Sequence, residues 1–259
     1  MNWDPALYLQ FEHERARPFH DLLAQVPERA YATVVDAGCG PGHLTLLLAQ
    51  RWPAAEVLGF DSSPEMIAEA QGGGHPKNVA FHRDDVMTWN MEPVPDLLIC
   101  NAVLQWAPDH LPLVLRWVLR LKPGGVLAIQ VPANLDAPHH VLLTSLRLSA
   151  RWRAQLGEGA HRSLVVPGIE EYLEAAAQPS IHVNAWETTY QHIISGPDAV
   201  LRWVSGTALR PVLGMLPAAD EAEFLAEYGA LLRIAYPEHP FGTPFPFRRR
   251  FLVASKTAE

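Results

Sequence analysis

Cysteine is almost missing from this 259-residue chain, which has only Cys39 and Cys100. The two lie far apart and form no C-x-x-C pair, so no disulfide framework is expected and a reducing cytoplasm fits. No run of Lys or Arg precedes Arg248, and the net charge is -8. That balance excludes the basic groove of a nucleic-acid binder. No stretch reaches the roughly 18 consecutive apolar residues of a membrane span. Residues Met1 to Asp4 show no basic segment leading into an apolar one, so no signal peptide is expected. No Lys-Ser or Lys-Thr pair follows the glycine-rich stretch after residue 37, which excludes a phosphate cradle of the P-loop type. No metal site is expected.

What is present is ample apolar material. Hydrophobic residues make up 49% of the chain, enough to bury a full core. The length predicts one domain spanning 1–259, or one domain with an insertion, and a monomer is the default. The organising stretch is Val34-Val35-Asp36-Ala37-Gly38-Cys39-Gly40-Pro41-Gly42. Short apolar residues lead into an acid, three alternate glycines follow, and His43 to Trp52 is amphipathic. The pattern predicts a buried strand, a tight loop and a helix, with the loop at the carboxyl end of a strand in an open α/β sheet. A G-x-G-x-x-G loop starting at Gly38 needs glycine at position 43, and His43 stands there. Asp36 can steady the loop or accept a bond from a cationic amine, and it would repel a pyrophosphate. The ligand favoured is a nucleoside without phosphates, carrying positive charge.

Trp3, Leu7, Tyr8 and Phe11 have helical spacing before the first strand, so residues 2–25 are read as a helix and a possible cap over the ligand site. Leu44, Leu47, Leu48 and Trp52 form a helical stripe assigned to the core. Val57 to Phe60 is a second strand, and Asp61 at its end stands one βαβ unit after Asp36, where an acid reaches ribose hydroxyls. Ser62 or Ser63 with Pro64 caps the next helix, and Met66 and Ile67 are candidates for adenine contact or core packing. A short third strand, Val79 to Phe81, leads to Asp84-Asp85-Val86. Adenine needs an acceptor for its amine and a backbone N–H for a ring nitrogen, which Asp85 and Val86 match, with Asp84 as competitor. Asp96 to Cys100 is a fourth strand. It places Asn101, Gln105 and Trp106 at the carboxyl edge, facing the cofactor or the acceptor. Val126 to Val131 is a fifth strand. Beyond Pro132 the rhythm weakens. Helical additions near 134–178 and 194–240 are expected to lie over the ligand edge. Ile181 to Tyr190 reads as a strand, and Arg249 to Ala254 as a closing edge strand.

The run D-x-G-x-G-x-G from Asp36 to Gly42 resembles the first motif of the class I S-adenosylmethionine-dependent methyltransferases, a resemblance covering roughly residues 30–132. It implies a Rossmann-like α/β sheet with helices on both faces and a mostly helical cap. S-adenosyl-L-methionine is then the cofactor, held by Asp36, Gly38, Gly40, Asp61, Ser62, Met66, Asp85, Val86 and Asn101. Further stretches extend the likeness nearly end to end: Trp3 to Leu9, Asn101 to His110, Trp186 to Tyr190, and Thr207 to Pro211. Together they resemble the trans-aconitate 2-methyltransferase family. Departures are Arg248-Arg249-Arg250 and His43.

That resemblance implies a soluble bacterial enzyme that esterifies one carboxylate of a tricarboxylate. A carboxylate is already a nucleophile at neutral pH, so no general base is required, and the enzyme must align the reacting atoms and exclude water. Guanidinium forks suit a trianionic acceptor. Arg210 and Arg249 are the expected clamp, with Arg15 or His20 assisting, Tyr190 and Gln105 as uncharged donors, and Trp106 as a pocket wall. Strand alternation sends Arg249 to the face opposite Arg248 and Arg250, so one of the two faces should be solvated. The alternatives are a methyltransferase for another small molecule, an NAD-dependent dehydrogenase, and a non-catalytic cofactor-binding scaffold.

Overall fold

The computed structural model describes residues 12–157, 166–206 and 209–258, with side chains from residue 16 onward except that of residue 210. The first elements are α1 (Glu12–Ala24), β1 (Thr33–Ala37), α2 (His43–Arg51), β2 (Glu56–Asp61), α3 (Pro64–Gly72), β3 (Val79–Arg83) and β4 (Leu97–Asn101). A 3-10 turn (Leu104–Trp106), α4 (Leu111–Arg120) and β5 (Val126–Pro132) complete the βα succession. Then come α5 (Pro138–Arg147), α6 (Arg153–Leu156), α7 (Ile169–Ala176), β6 (Ile181–Ile194), α8 (Ala199–Ser205), α9 (Arg210–Leu213), α10 (Ala218–Ala235) and β7 (Thr243–Lys256).

The sheet runs β3-β2-β1-β4-β5-β7-β6. The pairs β1–β2, β2–β3, β1–β4 and β4–β5 are parallel. Gly124 N–H donates to Lys256 O, and Ala133 N–H donates to Arg248 O, so β7 runs antiparallel to β5. The expectation of a closing edge strand at Arg249 to Ala254 is therefore corrected. β7 lies between β5 and β6, and β6 takes the outer position.

Strand alternation assigns the two faces. Val35 and Ala37 of β1, Leu98 and Cys100 of β4, and Leu127 and Ile129 of β5 pack with Val114, Trp117 and Val118 of α4 and with Tyr172 of α7. The intervening Asp36 turns to the other face, where Thr45 of α2 meets it. Helices thus cover both faces, and the strands between them read as nearly continuous apolar runs. On α2 the buried residues are Thr45, Leu48 and Ala49. The assignment of Leu44 and Leu47 to the core is corrected, because both are only half-buried and Thr45 takes the inward position.

The chain divides into two compact units. The sheet unit comprises Pro18–Pro132, Val166–Glu187 and Arg250–Glu259. The other comprises Met1–Arg17, Ala133–Val165 and Thr188–Arg249. Its described part is mostly helical and has a hydrophobic core of its own, in which Trp152, Trp203, Phe224, Tyr228 and Phe245 are the large members. No described helix is long and apolar enough to cross a membrane.

Candidate active site

The strand order reverses between β1 and β4, and such a switch point opens a ligand crevice at the carboxyl ends of the strands. The turn after β1 is pinned there by Gly38 N–H and Cys39 N–H, which donate to Phe60 O at 2.8 and 2.9 Å. Gly38 has φ +80, and a Cβ on it would lie 2.2 Å from Val103 Cγ2. Only glycine meets both conditions. Gly40 has φ +55, but a Cβ there would meet nothing within 4 Å. The loop is closely packed beneath Gly38 and open at Gly40.

Asp61 ties this loop to the next helix. Gly40 N–H donates to Asp61 Oδ2 at 3.0 Å, and Ser63 N–H donates to Asp61 Oδ1 at 2.9 Å. An ionised carboxylate offers roughly four acceptor positions, so about two remain for hydroxyl donors. Ser63 is the N-cap of α3, accepting from Met66 N–H. Ser62 is exposed and Met66 half-buried. The carbonyl of Ser62 accepts from Arg83 Nε.

Asp36 is buried and accepts from Thr45 Oγ1 at 2.7 Å. Burial pushes its carboxyl from 3.8 up to about 6; the Thr45 hydroxyl opposes this, and the negative charge of Asp61 adds to it. Thr45 escaped the sequence reading. Its signal was a hydroxyl inside the apolar stripe of α2, one helical turn from the loop. Burial also raises the thiols of Cys39 and Cys100, so neither is a thiolate nucleophile.

After β3, Asp84 Oδ1 accepts from Asp85 N–H at 2.7 Å, and Asp85 Oδ1 accepts from Met87 N–H at 2.9 Å. Asp85 is exposed and Val86 half-buried. At the end of β4, Asn101 Oδ1 and Gln105 Oε1 are both buried without a hydrogen-bond partner among the described residues. Gln105 Nε2 donates to Ala102 O at 2.6 Å, which fixes the amide. Ala102 has φ +57, a left-handed conformation that costs a non-glycine residue about 1 kcal/mol. Buried acceptors without donors are costly in isolation and fit a ligand that brings N–H or O–H groups. Together with the open space at Gly40 and the spare lone pairs of Asp61, they suit a nucleoside carrying an amino-acid ammonium. Trp106 is 59% exposed. His20 is exposed beside Phe19.

In the helical unit, Tyr190 and Arg249 are both buried. The Arg249 guanidinium stacks 4.6 Å from the Phe247 ring centroid. Arg210 begins α9 and Arg15 lies in α1, and both side chains fall outside those described. The expectation that one face of the triple arginine is solvated does not hold. The side chains of Arg248 and Arg250 are only 31% and 17% exposed. Arg248 pairs with Asp136 at 2.5 Å, and Arg250 with Glu187 at 2.9 Å. Each also donates to backbone carbonyls, because β7 lies inside the sheet and not at its rim.

A methyltransferase-domain family model matches residues 9–176. A trans-aconitate 2-methyltransferase of Streptomyces avermitilis is 47% identical over 99% of this chain and 98% of its own length. Another of that name, from Streptomyces coelicolor, is 48% identical over 98% of this chain and 86% of its own. Among solved structures, the YcgJ protein of Bacillus subtilis superposes with a TM-score of 0.56 at 18% identity, covering 96% of this chain and 100% of that one; it supports the fold alone. The chain belongs to the trans-aconitate 2-methyltransferase family of S-adenosylmethionine-dependent methyltransferases.

Proposed function

We propose that the protein transfers a methyl group from S-adenosylmethionine to one carboxylate of trans-aconitate, giving the monomethyl ester and S-adenosylhomocysteine. The observation that carries this reading is the near-full-length likeness, at 47% identity, to an enzyme of that name.

When bound, the cofactor supplies a methyl group made electrophilic by its sulfonium. A carboxylate that attacks this carbon has no proton to lose, so the residues here act by holding, orienting and excluding water. Asp61 keeps Gly40 and Ser63 in place with two lone pairs and offers the others to ribose hydroxyls. The unpartnered Asn101 Oδ1 and Gln105 Oε1 receive the ammonium. Asp85, whose Oδ1 accepts from Met87 N–H, would accept from the adenine amine, the backbone N–H of Val86 would serve a ring nitrogen, and Met66 would contact the base. Asp36 acts through Thr45, securing the start of α2 behind the loop. Arg249 and Arg210 are the residues assigned to the carboxylates of the acceptor, and Tyr190 is an uncharged donor.

The test is an assay of the purified protein with methyl-labelled S-adenosylmethionine against tri-, di- and monocarboxylates and neutral alcohols. Preferential labelling of trans-aconitate is expected, and equal rates on neutral and anionic acceptors would overturn the assignment. Separately, Asp61→Ala should weaken S-adenosylhomocysteine binding in calorimetry by about 1–3 kcal/mol, the scale of a lost charged hydrogen bond.

A further inference from the structure

Gln130 stands in the otherwise apolar β5 and is only 1% exposed. Its Nε2 has no hydrogen-bond partner among the described residues. A buried N–H without an acceptor is costly, and it calls for an explanation.

Strand register gives its place. Gln130 stands opposite Asn101 in the parallel β4–β5 pair, and its carbonyl accepts from Ala102 N–H at 2.8 Å. Leu98 and Cys100 of β4, and Leu127, Ile129 and Val131 of β5, join the core packed by α4 and α7. Alternation therefore puts Asn101 and Gln130 together on the opposite face, at the carboxyl end of the strands. Neighbouring strands run roughly 4.8 Å apart, so the two side chains leave the sheet side by side. Gln105 completes the group from the 3-10 turn after β4, its Nε2 donating to Ala102 O at 2.6 Å. All three residues belong to the sheet unit.

Their unpartnered atoms are complementary. Asn101 Oδ1 and Gln105 Oε1 are acceptors, and Gln130 Nε2 is a donor. The Asn101 acceptor and the Gln130 donor are register neighbours, yet they do not bond to each other. Two acceptors match an ammonium. A donor beside them matches an anion carried close to that ammonium. An α-amino acid presents this pair, because one carbon bears both groups.

We infer that Gln130 Nε2 donates to the α-carboxylate of the cofactor's methionine half, while Asn101 and Gln105 hold the ammonium. This rests on the ammonium assignment proposed above. A neutral donor suits the position, since a Lys or Arg so close would repel the ammonium. Held at both groups, the amino-acid tail is fixed about its α-carbon, which orients the sulfur and its methyl group.

Calorimetry on the whole protein tests the inference with three ligands. S-adenosylhomocysteine has both groups, its decarboxylated analogue keeps only the amine, and 5′-methylthioadenosine has neither. The unsubstituted protein should bind S-adenosylhomocysteine about ten- to hundredfold more tightly than the analogue, the range of a charge-assisted hydrogen bond. Gln130→Met, which keeps the volume and removes the donor, should lose most of that preference by weakening S-adenosylhomocysteine alone. Gln130→Glu should reverse the preference, because its carboxylate repels one ligand's carboxylate and attracts the other's amine. If the analogue and 5′-methylthioadenosine bind the unsubstituted protein equally, the ammonium assignment falls and the inference with it. If the analogue binds more tightly than 5′-methylthioadenosine but as tightly as S-adenosylhomocysteine, the inference alone falls, whether or not the variants fold. Equal weakening of both amine-bearing ligands by Gln130→Met, with a lower melting temperature, would show that the amide serves only the sheet and would overturn the inference. So would a raised KM for the methyl acceptor with unchanged affinity for S-adenosylhomocysteine.

Discussion

Asp36 gives the most quantitative handle on this protein. Its carboxyl is buried at the end of β1, keeps one hydroxyl partner in Thr45, and is raised from 3.8 to about 6. The folded state therefore holds the Asp36 proton more tightly than the unfolded chain does. A raised acid contributes stability that is fully present below the unfolded value of 3.8 and is lost as pH rises through the folded value of about 6. The full loss is about 3 kcal/mol, roughly two pKa units at 1.36 kcal/mol each. Between about pH 4.5 and about pH 7.5 the loss amounts to roughly 2 kcal/mol, since the unfolded chain is already partly ionised at the lower value. Asp36→Asn removes the titration and keeps an acceptor for Thr45. The amide's own packing cost does not vary with pH, so it cancels when the two pH values are compared. Urea denaturation of both proteins at both values should show the variant gaining about 2 kcal/mol relative to the parent on going from acid to neutral pH. An unchanged stability difference across that range would refute the burial argument. A difference of opposite sign would mean that a cationic partner stabilises the carboxylate.

Gly38→Ala should destabilise the protein by about 1–3 kcal/mol and weaken S-adenosylhomocysteine binding, because its Cβ would press on Val103 at φ +80. Adding Val103→Ala should recover the steric part only, and calorimetry on both variants separates the two contributions. His110 Nδ1 donates to Ala107 O, so its Nε2 accepts from the Tyr172 hydroxyl at 2.5 Å. Tyr172→Phe leaves that buried nitrogen unsatisfied and should cost about 1–3 kcal/mol in chemical denaturation. Arg147 is buried, yet its Nη2 meets only the Gly157 carbonyl and its Nε–H has no partner among the described residues. Arg147→Met should therefore raise the melting temperature or leave it unchanged, whereas a fall of several degrees would show that the guanidinium has a stabilising anionic partner.

The sequence alone determined the parallel half of the sheet and the loops that follow its strands. Apolar runs of strand length alternate there with helical stripes, and glycines and acids fall directly after the strands. Local pattern suffices because Asp36, Gly38, Asp61 and Asn101 lie at or just past the ends of strands whose register is set by neighbouring βαβ units. Tertiary structure decided the rest. That Asp36 is held by Thr45, and that Asp61 binds Gly40 and Ser63, depends on packing of α2 and on a loop crossing between strands. The inner position of β7 is set by antiparallel pairing across more than a hundred residues, which no local periodicity encodes. The same holds for the arginines. A run of three reads as a solvated rim, but Asp136 and Glu187 arrive from distant elements to pair with Arg248 and Arg250.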